Sequence, residues 1–415
     1  MTSRAAARLA AGAPVIATAH FEAEADPFHP VDNPSGHVNL GTAENRLLED
    51  VLQPFLTARR PSVDTRYGLP HGTARLRAAV ARLLGGTWHT PVDPDDLVIT
   101  AGATAALDIA ATVTCDPGDV IVVPAPYYSA FAGDLTDRSG ARLVPAPMSP
   151  DTGFALDVDV VDRTVRELRR DGATVRAVAL SSPANPHGAV YPASVLRDLL
   201  RVAAEHDLDV ISDEIHAHCA FGPEPFVSVL DPAVLDPGVL GAHADRVHVI
   251  WGFAKDFGLS GLKVGVLRPA RPTRDAARAL AYFATVSTDT QALLGDLLSD
   301  EERVSALLAE NGRRLGASHA HASALLTAHG IRHVPASAGL SLWLDLRDRL
   351  DEPTFAAEDR LWRRTRAARV NVLPGSAFGA PGPGWFRLCH AVPADLVTTG
   401  IDRLATATAP SRSTP

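Results

Sequence analysis

The chain has 415 residues, of which 46% are apolar and 21% are charged, and its formal net charge is -9. This composition is typical of a globular protein with sizeable cores, and it excludes a disordered, collagen-like or disulfide-stapled chain. The acidic balance, without any block of basic residues, argues against a nucleic-acid partner. No apolar run approaches the roughly 18 residues of a membrane span. The alanine-rich stretch 5–19, which contains Arg8 and Pro14, is expected to be a loose arm.

Three cysteines, Cys115, Cys219 and Cys389, lie far apart in the sequence. They form neither a metal-type CxxC pair nor an even disulfide framework, so we expect reduced thiols, no metal site and a cytoplasmic protein. Glycine-rich nucleotide-binding motifs of the Rossmann or P-loop type are absent from the sequence, which argues against a nucleotide-binding domain of those kinds.

Short apolar strands alternate with amphipathic helices through the middle of the chain, which predicts an α/β fold with a mainly parallel sheet. The expected strands are 98–100, 120–123, 175–180, 210–212, 247–251 and 264–267. Helices are expected at 195–206, 293–309 and 313–328, followed by strand-like segments at 340–346 and 385–389. We predict an N-terminal arm and part of a small α+β domain in 1–60, a large domain in 61–288, and the rest of the small domain in 289–415.

Only two of the 39 basic residues are lysines, Lys255 and Lys263. Lys255 follows the expected strand 247–251 and lies in a glycine-spaced loop. Burial there would lower the pKa of its amine and make it nucleophilic, as Schiff-base chemistry requires. The alternative is an ordinary surface-loop lysine, which is less attractive because the chain uses arginine at nearly every other basic position.

The segment 251–265 around this lysine resembles the lysine motif of fold-type I pyridoxal phosphate (PLP) enzymes, the aspartate aminotransferase superfamily. Further motifs match in the same order along nearly the whole chain, at residues 39–47, 67–72, 100–105, 124–128, 185–188, 212–216, 287–291 and 384–387. Within the superfamily the sequence is most similar to 1-aminocyclopropane-1-carboxylate (ACC) synthase, notably at residues 43–45, 226–229, 297–301 and 384–389. The resemblance implies PLP as the cofactor and Lys255 as the Schiff-base residue.

For the cofactor ring, the resemblance implies three further contacts. Asp213 would pair with the pyridinium nitrogen, since a buried carboxylate normally needs a cationic partner. Asn185 would donate to the phenolic oxygen, and Tyr128 would stack on the ring, with the neighbouring Tyr127 as the alternative. Taken alone, these residues could equally be a strand-end carboxylate, a turn residue and a core aromatic.

For the cofactor phosphate, the resemblance implies a site at a helix N-terminus, where backbone N–H groups bind anions. The backbone of Ala103 and the Thr104 hydroxyl, ahead of a helix expected near Leu107, would hold it, although Thr104 could also be a plain N-cap. Tyr67 resembles the tyrosine that reaches the phosphate of the neighbouring subunit. A homodimer with shared active sites follows from that resemblance.

The sequence departs from the family pattern at four positions. Gly252 and Ala254 stand where phosphate-binding serines are usual, and Lys263 replaces an arginine. Lys263 either contacts the phosphate as a point charge, or its amine contacts the substrate or acts as an acid. His216 stands where many relatives have a tyrosine that donates to the phenolic oxygen, and we expect its charge to change near neutral pH.

For the substrate, the resemblance implies that Arg387 binds the α-carboxylate together with Gly41 and Asn185. Glu44 would face the sulfonium of S-adenosylmethionine, although it could equally be a helix-start carboxylate. The expected reaction passes through a quinonoid with loss of methylthioadenosine, and it gives either ACC or a γ-replacement or annulation product. The alternatives are an aminotransferase or other PLP lyase acting on an ordinary amino acid, and a non-catalytic protein with the same fold.

Overall fold

Within the part of the chain that the structure describes, three α-helices and one short strand precede the central sheet. The computed structural model describes residues 15–58 and 66–409, and its first elements are α1 (Val15–Ala25), β1 (Val38–Asn39), α2 (Glu49–Ala58) and α3 (Ala74–Thr87). The expected loose arm falls mainly on residues 1–14, outside the described residues. Its last part is helical instead, because α1 begins at Val15.

A seven-stranded sheet forms the centre of the protein. Its strands are β2 (Val98–Thr100), β3 (Val120–Ala125), β4 (Arg142–Pro147), β5 (Val175–Ser181), β6 (Asp209–Asp213), β7 (Val247–Gly252) and β8 (Gly265–Arg268). The spatial order is β2-β8-β7-β6-β5-β3-β4, and only the two pairs made by β8 are antiparallel. The fold is therefore α/β with a mostly parallel sheet, as predicted.

The central strands are buried on both faces. Val120 and Val122 of β3 belong to one hydrophobic cluster, whereas Ile121 and Val123 belong to another. Because successive side chains of a strand point to opposite faces, these clusters are the cores on either side of the sheet. The helices that alternate with the strands are α4 (Ala103–Thr114), α5 (Phe131–Asp134), α6 (Val158–Arg170), α7 (Ala193–Glu205), α8 (Pro237–Leu240), α9 (Phe253–Asp256) and α10 (Arg274–Leu280).

The C-terminal part of the chain combines helices with small sheets. Its elements are α11 (Thr288–Leu297), α12 (Glu301–Ala328), β9 (Arg332–His333), β10 (Ser341–Asp345), α13 (Phe355–Ala367), β11 (Val370–Asn371), β12 (Leu373–Pro374), β13 (Trp385–Cys389) and α14 (Ala394–Thr408). An antiparallel sheet has the order β12-β13-β10-β9, and β11 pairs in parallel with β1. A third hydrophobic cluster joins residues from 19–40 to residues from 322–404.

Most predicted elements are present, with differences at their ends. All six expected strands occur, as β2, β3 and β5 to β8, with ends shifted by at most two residues. Strand β4 was not predicted, because its pattern is largely exposed and it contains two prolines, both of which an edge strand tolerates. The domain boundaries at 60/61 and 288/289 stay predictions, and the first of them lies outside the described residues.

The predicted break between two C-terminal helices is wrong. The break lies at 298–300, and α12 then continues without interruption through Asn311 and Gly312. The Asp300 side chain caps α12 by accepting from the Arg303 N–H at 3.0 Å. None of the helices in the described part of the chain is long and apolar enough to cross a membrane.

Candidate active site

Lys255 lies in the short helix α9, directly after β7, and its side chain is partly buried. Its Nζ donates to the carbonyl oxygen of Ala43 at 2.6 Å. Burial lowers the pKa of Lys255, and the positive charge of Arg387 acts in the same direction. A lowered amine pKa increases the neutral, nucleophilic fraction, so the local structure favours covalent chemistry at this nitrogen.

Asp213 lies at the carboxyl end of β6, next to the strand that leads to Lys255. In the parallel pairing it is opposite Ile250 of β7. The side chain is only 4% exposed and accepts one backbone hydrogen bond, from Ile215 at 3.3 Å. Burial raises the pKa of Asp213 to about 7, and Lys255 acts weakly against that shift. A carboxylate buried this deeply is stabilised by a cation placed against it.

Arg387 lies on β13, and its guanidinium is 3% exposed. It donates to Asn185 Oδ1 at 3.2 Å and to the carbonyl oxygen of Gly41 at 2.8 Å, while its Cζ lies 4.8 Å from the centre of the Phe378 ring. Its Nε has no hydrogen-bond partner within the described residues. The three residues that were predicted to bind the substrate carboxylate are therefore hydrogen-bonded together, and the guanidinium keeps donor capacity for an anion.

The N-terminus of α4 forms a backbone cradle. The helix begins at Ala103, four residues earlier than expected, so Ala103 and Thr104 are its first two residues. Gly102 has a φ of +87°. A Cβ on Gly265 would lie 2.4 Å from the carbonyl carbon of Gly102, so β8 supports this turn at a distance that only glycine permits. Lys263 is exposed beside the same turn, with its Nζ 3.6 Å from the position of a Cβ on Gly102.

The structure separates the roles of the two neighbouring tyrosines. Tyr127 packs against the 375–379 turn, where a Cβ on Gly379 would lie 2.4 Å from its ring. Tyr128 makes an edge contact with Phe131, and it is close enough to Asp213 that this carboxylate contributes to raising the pKa of the phenol, behind the larger effect of burial. The geometry favours Tyr128 as the aromatic that faces the site.

His216 is buried, and its Nδ1 has no partner within the described residues. Burial lowers the pKa of His216 to about 3, and the positive charges of Lys255 and Arg387 act in the same direction. The expectation that its charge changes near neutral pH is therefore wrong. Burial favours the neutral imidazole, and the ring of a neutral imidazole can donate from only one nitrogen.

Glu44 is half-buried on the turn after β1, next to the Ala43 carbonyl that accepts from Lys255. Its charge raises the pKa of Lys255, against the larger effect of burial. Tyr67, in contrast, is fully exposed and is not brought into contact with the other predicted residues of its own chain.

A buried amide network behind the lysine was not predicted. Asn45 donates to the carbonyl oxygen of Lys255 at 2.8 Å and to Asn311 Oδ1 at 2.8 Å. Asn311 in turn donates to the carbonyl oxygen of His218 at 3.2 Å. Asp256, next to the lysine, accepts from Trp251 Nε1 at 2.8 Å. Asn45 was noted only as part of a family motif, and no local pattern singles out Asn311.

Comparisons with known proteins identify relatives of this sequence. The sequence profile of the family described as aminotransferase class I and II matches residues 35–404. A 1-aminocyclopropane-1-carboxylate synthase of Nicotiana tabacum is 35% identical over 383 residues, which are 88% of this chain and 77% of that protein. A 1-aminocyclopropane-1-carboxylate synthase of Oryza sativa subsp. japonica is 36% identical over 389 residues, 88% of this chain and 86% of that protein.

Solved structures show the same fold. An aspartate aminotransferase of Thermus thermophilus, solved with maleate, superposes with a TM-score of 0.78 at 24% identity. The superposition covers 98% of this chain and 99% of that chain.

Proposed function

The chain belongs to the class I and II aminotransferase family of PLP-dependent enzymes, and on this basis we propose that it acts on the amino-acid part of S-adenosylmethionine with loss of methylthioadenosine. The product is either ACC or a compound formed by γ-replacement or annulation with a second substrate. The similarity to ACC synthases over 88% of the chain supports this substrate class. The position of Glu44 beside Lys255 is the structural observation that carries the proposal.

The residues of the site fit PLP. Asp213 is a buried carboxylate with one backbone donor, which suits a protonated ring nitrogen. The first turn of α4 offers unpaired backbone N–H groups, which suit a phosphate, and Gly265 lets β8 pack closely against the turn that presents them. Bound PLP supplies a carbonyl carbon that bonds to amines and a ring that accepts electrons from the substrate Cα.

Residues of this chain can then be assigned to cofactor binding, proton transfer and substrate binding. Lys255 Nζ would hold the cofactor covalently, and as a free amine it would accept the Cα proton of the substrate. Asp213 would pair with the positive charge of the ring, and Tyr128 would pack against the ring. Arg387 and Asn185 bind and orient the substrate carboxylate, since the guanidinium has no carboxylate partner within the described residues.

Glu44 separates the proposed substrate from an ordinary amino acid. It is half-buried, and the structure shows no ion pair for its carboxylate within the described residues. A sulfonium carries a fixed positive charge at every pH, so attraction to Glu44 would place it on the lysine side of the site. This contact would orient Cγ toward the carbanion carbon that closes the ring.

The second candidate is a PLP-dependent aminotransferase or lyase that acts on an ordinary amino acid. The family profile and the similarity of fold to aspartate aminotransferases favour it. On this alternative, Glu44 has no sulfonium to bind, and its replacement would leave the KM of the substrate unchanged.

We propose a homodimer with shared sites in either case. Tyr67 is fully exposed, and the side chains of Leu69, Tyr282 and Phe283 are exposed as well. The segment around Tyr67 runs beside the start of α11, with a Cβ on Gly68 3.7 Å from Thr288. We further propose that the enzyme works in the cytoplasm, because its three cysteines are free thiols.

The deciding experiment is product analysis by mass spectrometry after incubation of the PLP-loaded protein with S-adenosylmethionine, with and without added nucleophiles. We expect methylthioadenosine and an amino acid product, and no turnover from Lys255→Ala. Glu44→Gln should raise KM for S-adenosylmethionine, whereas Glu49→Gln, an exposed carboxylate paired with Arg46 at 3.1 Å, serves as the matched control. A keto acid without methylthioadenosine would establish the alternative instead.

A further inference from the structure

The hydroxyl of Thr104, at the second position of α4, is already engaged in the structure. It donates to Asp134 Oδ2 at 3.3 Å. A hydroxyl group has one proton, so it can donate to one strong acceptor at a time. If the cofactor phosphate lies at this helix N-terminus, Thr104 has two anions competing for the same proton.

Asp134 lies in an environment that disfavours its charged form. It is the last residue of α5 and is partly buried. Burial raises the pKa of Asp134 to about 6, while the hydrogen bond from Thr104 acts against that shift. The other charges that face it are Asp108 on α4 and Asp137 in the following turn, which favour protonation, and Lys263, two residues before β8, which favours ionisation. Asp134 is also close enough to Asp213 and Tyr128 to affect their protonation.

We propose that Asp134 and Thr104 form a proton relay that couples retention of the cofactor phosphate to protonation of Asp134. When Asp134 is protonated, its O–H donates to Thr104 Oγ1, and the Thr104 O–H is then free to donate to a phosphate oxygen. When Asp134 is ionised, its carboxylate accepts the hydrogen bond from the Thr104 O–H, so this donor is not available to the phosphate. The carboxylate also places a negative charge beside the phosphate. Asp134 is a positioning residue in this arrangement, because it acts on the cofactor through Thr104.

The relay compensates for the donors that this sequence lacks. Gly252 and Ala254 provide no hydroxyl, and Lys263 provides a single exposed positive charge. The orientation of the Thr104 hydroxyl therefore matters more for binding the phosphate than it would among several side-chain donors.

The direction of the pH dependence follows from linkage. Because the phosphate favours the protonated form, binding raises the pKa of Asp134, and the proton comes from solvent. Retention is strongest below the pKa of the free site, near 6, and weakens as the pH rises toward the pKa of the occupied site. In that interval, affinity falls by about tenfold for each pH unit.

The test compares holoenzymes by ³¹P NMR of the bound cofactor and by the rate of PLP release into a trap between pH 5.5 and 8.5. Asp134→Asn provides an amide N–H that can donate to Thr104 Oγ1 at every pH. We therefore expect PLP release at pH 8 to slow by about tenfold and the pH dependence of the release rate to flatten. Asp137→Asn removes a neighbouring charge without touching Thr104 and should keep the dependence. Thr104→Val should shift the ³¹P signal and speed release at low pH.

The outcomes separate the parts of the inference, which rests on the proposed position of the phosphate. If Asp134→Asn keeps the wild-type pH dependence, or if Asp137→Asn behaves identically, the relay is wrong. If Thr104→Val leaves the ³¹P signal unchanged, the phosphate is not at this hydroxyl, and the relay fails with it. Neither result depends on whether methylthioadenosine is formed, so the proposed reaction is tested separately.

Discussion

Replacing Asn311 tests how strongly the buried amide network supports the lysine. Asn311 is completely buried, its Oδ1 accepts from Asn45, and its Nδ2 donates to the carbonyl oxygen of His218. Asn311→Ala leaves one Asn45 N–H and the His218 carbonyl without these partners. Each buried polar group without a partner costs about 1 to 3 kcal/mol, so we expect a loss of about 2 to 6 kcal/mol in the free energy of unfolding.

A double-mutant cycle separates the amide pair from the cavity that alanine creates. Asn45→Ala removes the donor to the Lys255 carbonyl as well as the donor to Asn311. The double variant removes both partners, so its cost should be smaller than the sum of the two single costs by about 1 kcal/mol or more. Asn45→Ala and the double variant should also weaken PLP binding, because the carbonyl oxygen of Lys255 loses its hydrogen bond from Asn45.

The assay is denaturant unfolding of the apo and PLP-loaded proteins, with PLP affinity measured by titration. Ser305→Ala, at an exposed position of the same helix α12, is the control and should change stability by less than about 0.5 kcal/mol. A cost below about 1 kcal/mol for Asn311→Ala, or strictly additive single costs, would refute the reasoning that the network is a tightly satisfied unit.

Four further substitutions test the site. Burial raises the pKa of Asp213 from 3.8 to about 7, so ionisation of this residue destabilises the apo-protein as the pH rises between those values, by up to roughly 4 kcal/mol. Asp213→Asn should therefore stabilise the apo-protein more at pH 8 than at pH 5, and equal effects at the two pH values would contradict this. Glu44→Gln should raise KM for S-adenosylmethionine at least several-fold while leaving an uncharged amino acid unaffected in a binding titration. Lys263→Arg should tighten PLP binding with turnover unchanged, whereas lower turnover with the same PLP affinity would identify a substrate contact. His216→Tyr should leave the acidic side of the pH–rate profile in place, because the buried imidazole stays neutral above pH 5; disappearance of an acidic limb would show that the histidine titrates.

Local sequence patterns predicted those strands and helices that have a distinct arrangement of apolar residues over a few consecutive positions. Runs rich in valine and isoleucine predicted the strands of the central sheet, because strands buried on both faces must be apolar throughout. Strand β4 lacks that signal, since its exposed edge position permits prolines and polar residues. The Asn311–Gly312 pair resembles a helix end, yet tertiary contacts keep it inside α12, where the Asn311 amide is satisfied by other segments.

The candidate site was predictable wherever residues lie in recognisable motifs. The structure brings Lys255, Asp213 and Arg387 into one region, although their roles remain predictions. The pairing of Asn45 with Asn311 could not be predicted, because 266 residues separate them and neither lies in a pattern that names the other. The neutrality of His216 was also missed, because sequence position does not give the depth of burial that lowers its pKa.

The uninterrupted helix α12 has a mechanical consequence. With 28 residues it is about 42 Å long, and it places Val304 and Leu307 in the core of the seven-stranded sheet and Ala322 and Leu326 in the core of the C-terminal sheet. A single continuous helix therefore packs into both cores. Any rocking of one core against the other has to bend or turn this helix, and its residue Asn311 is hydrogen-bonded to Asn45, which donates to the carbonyl oxygen of Lys255. A change in the relative tilt of the cores is thereby transmitted to the lysine.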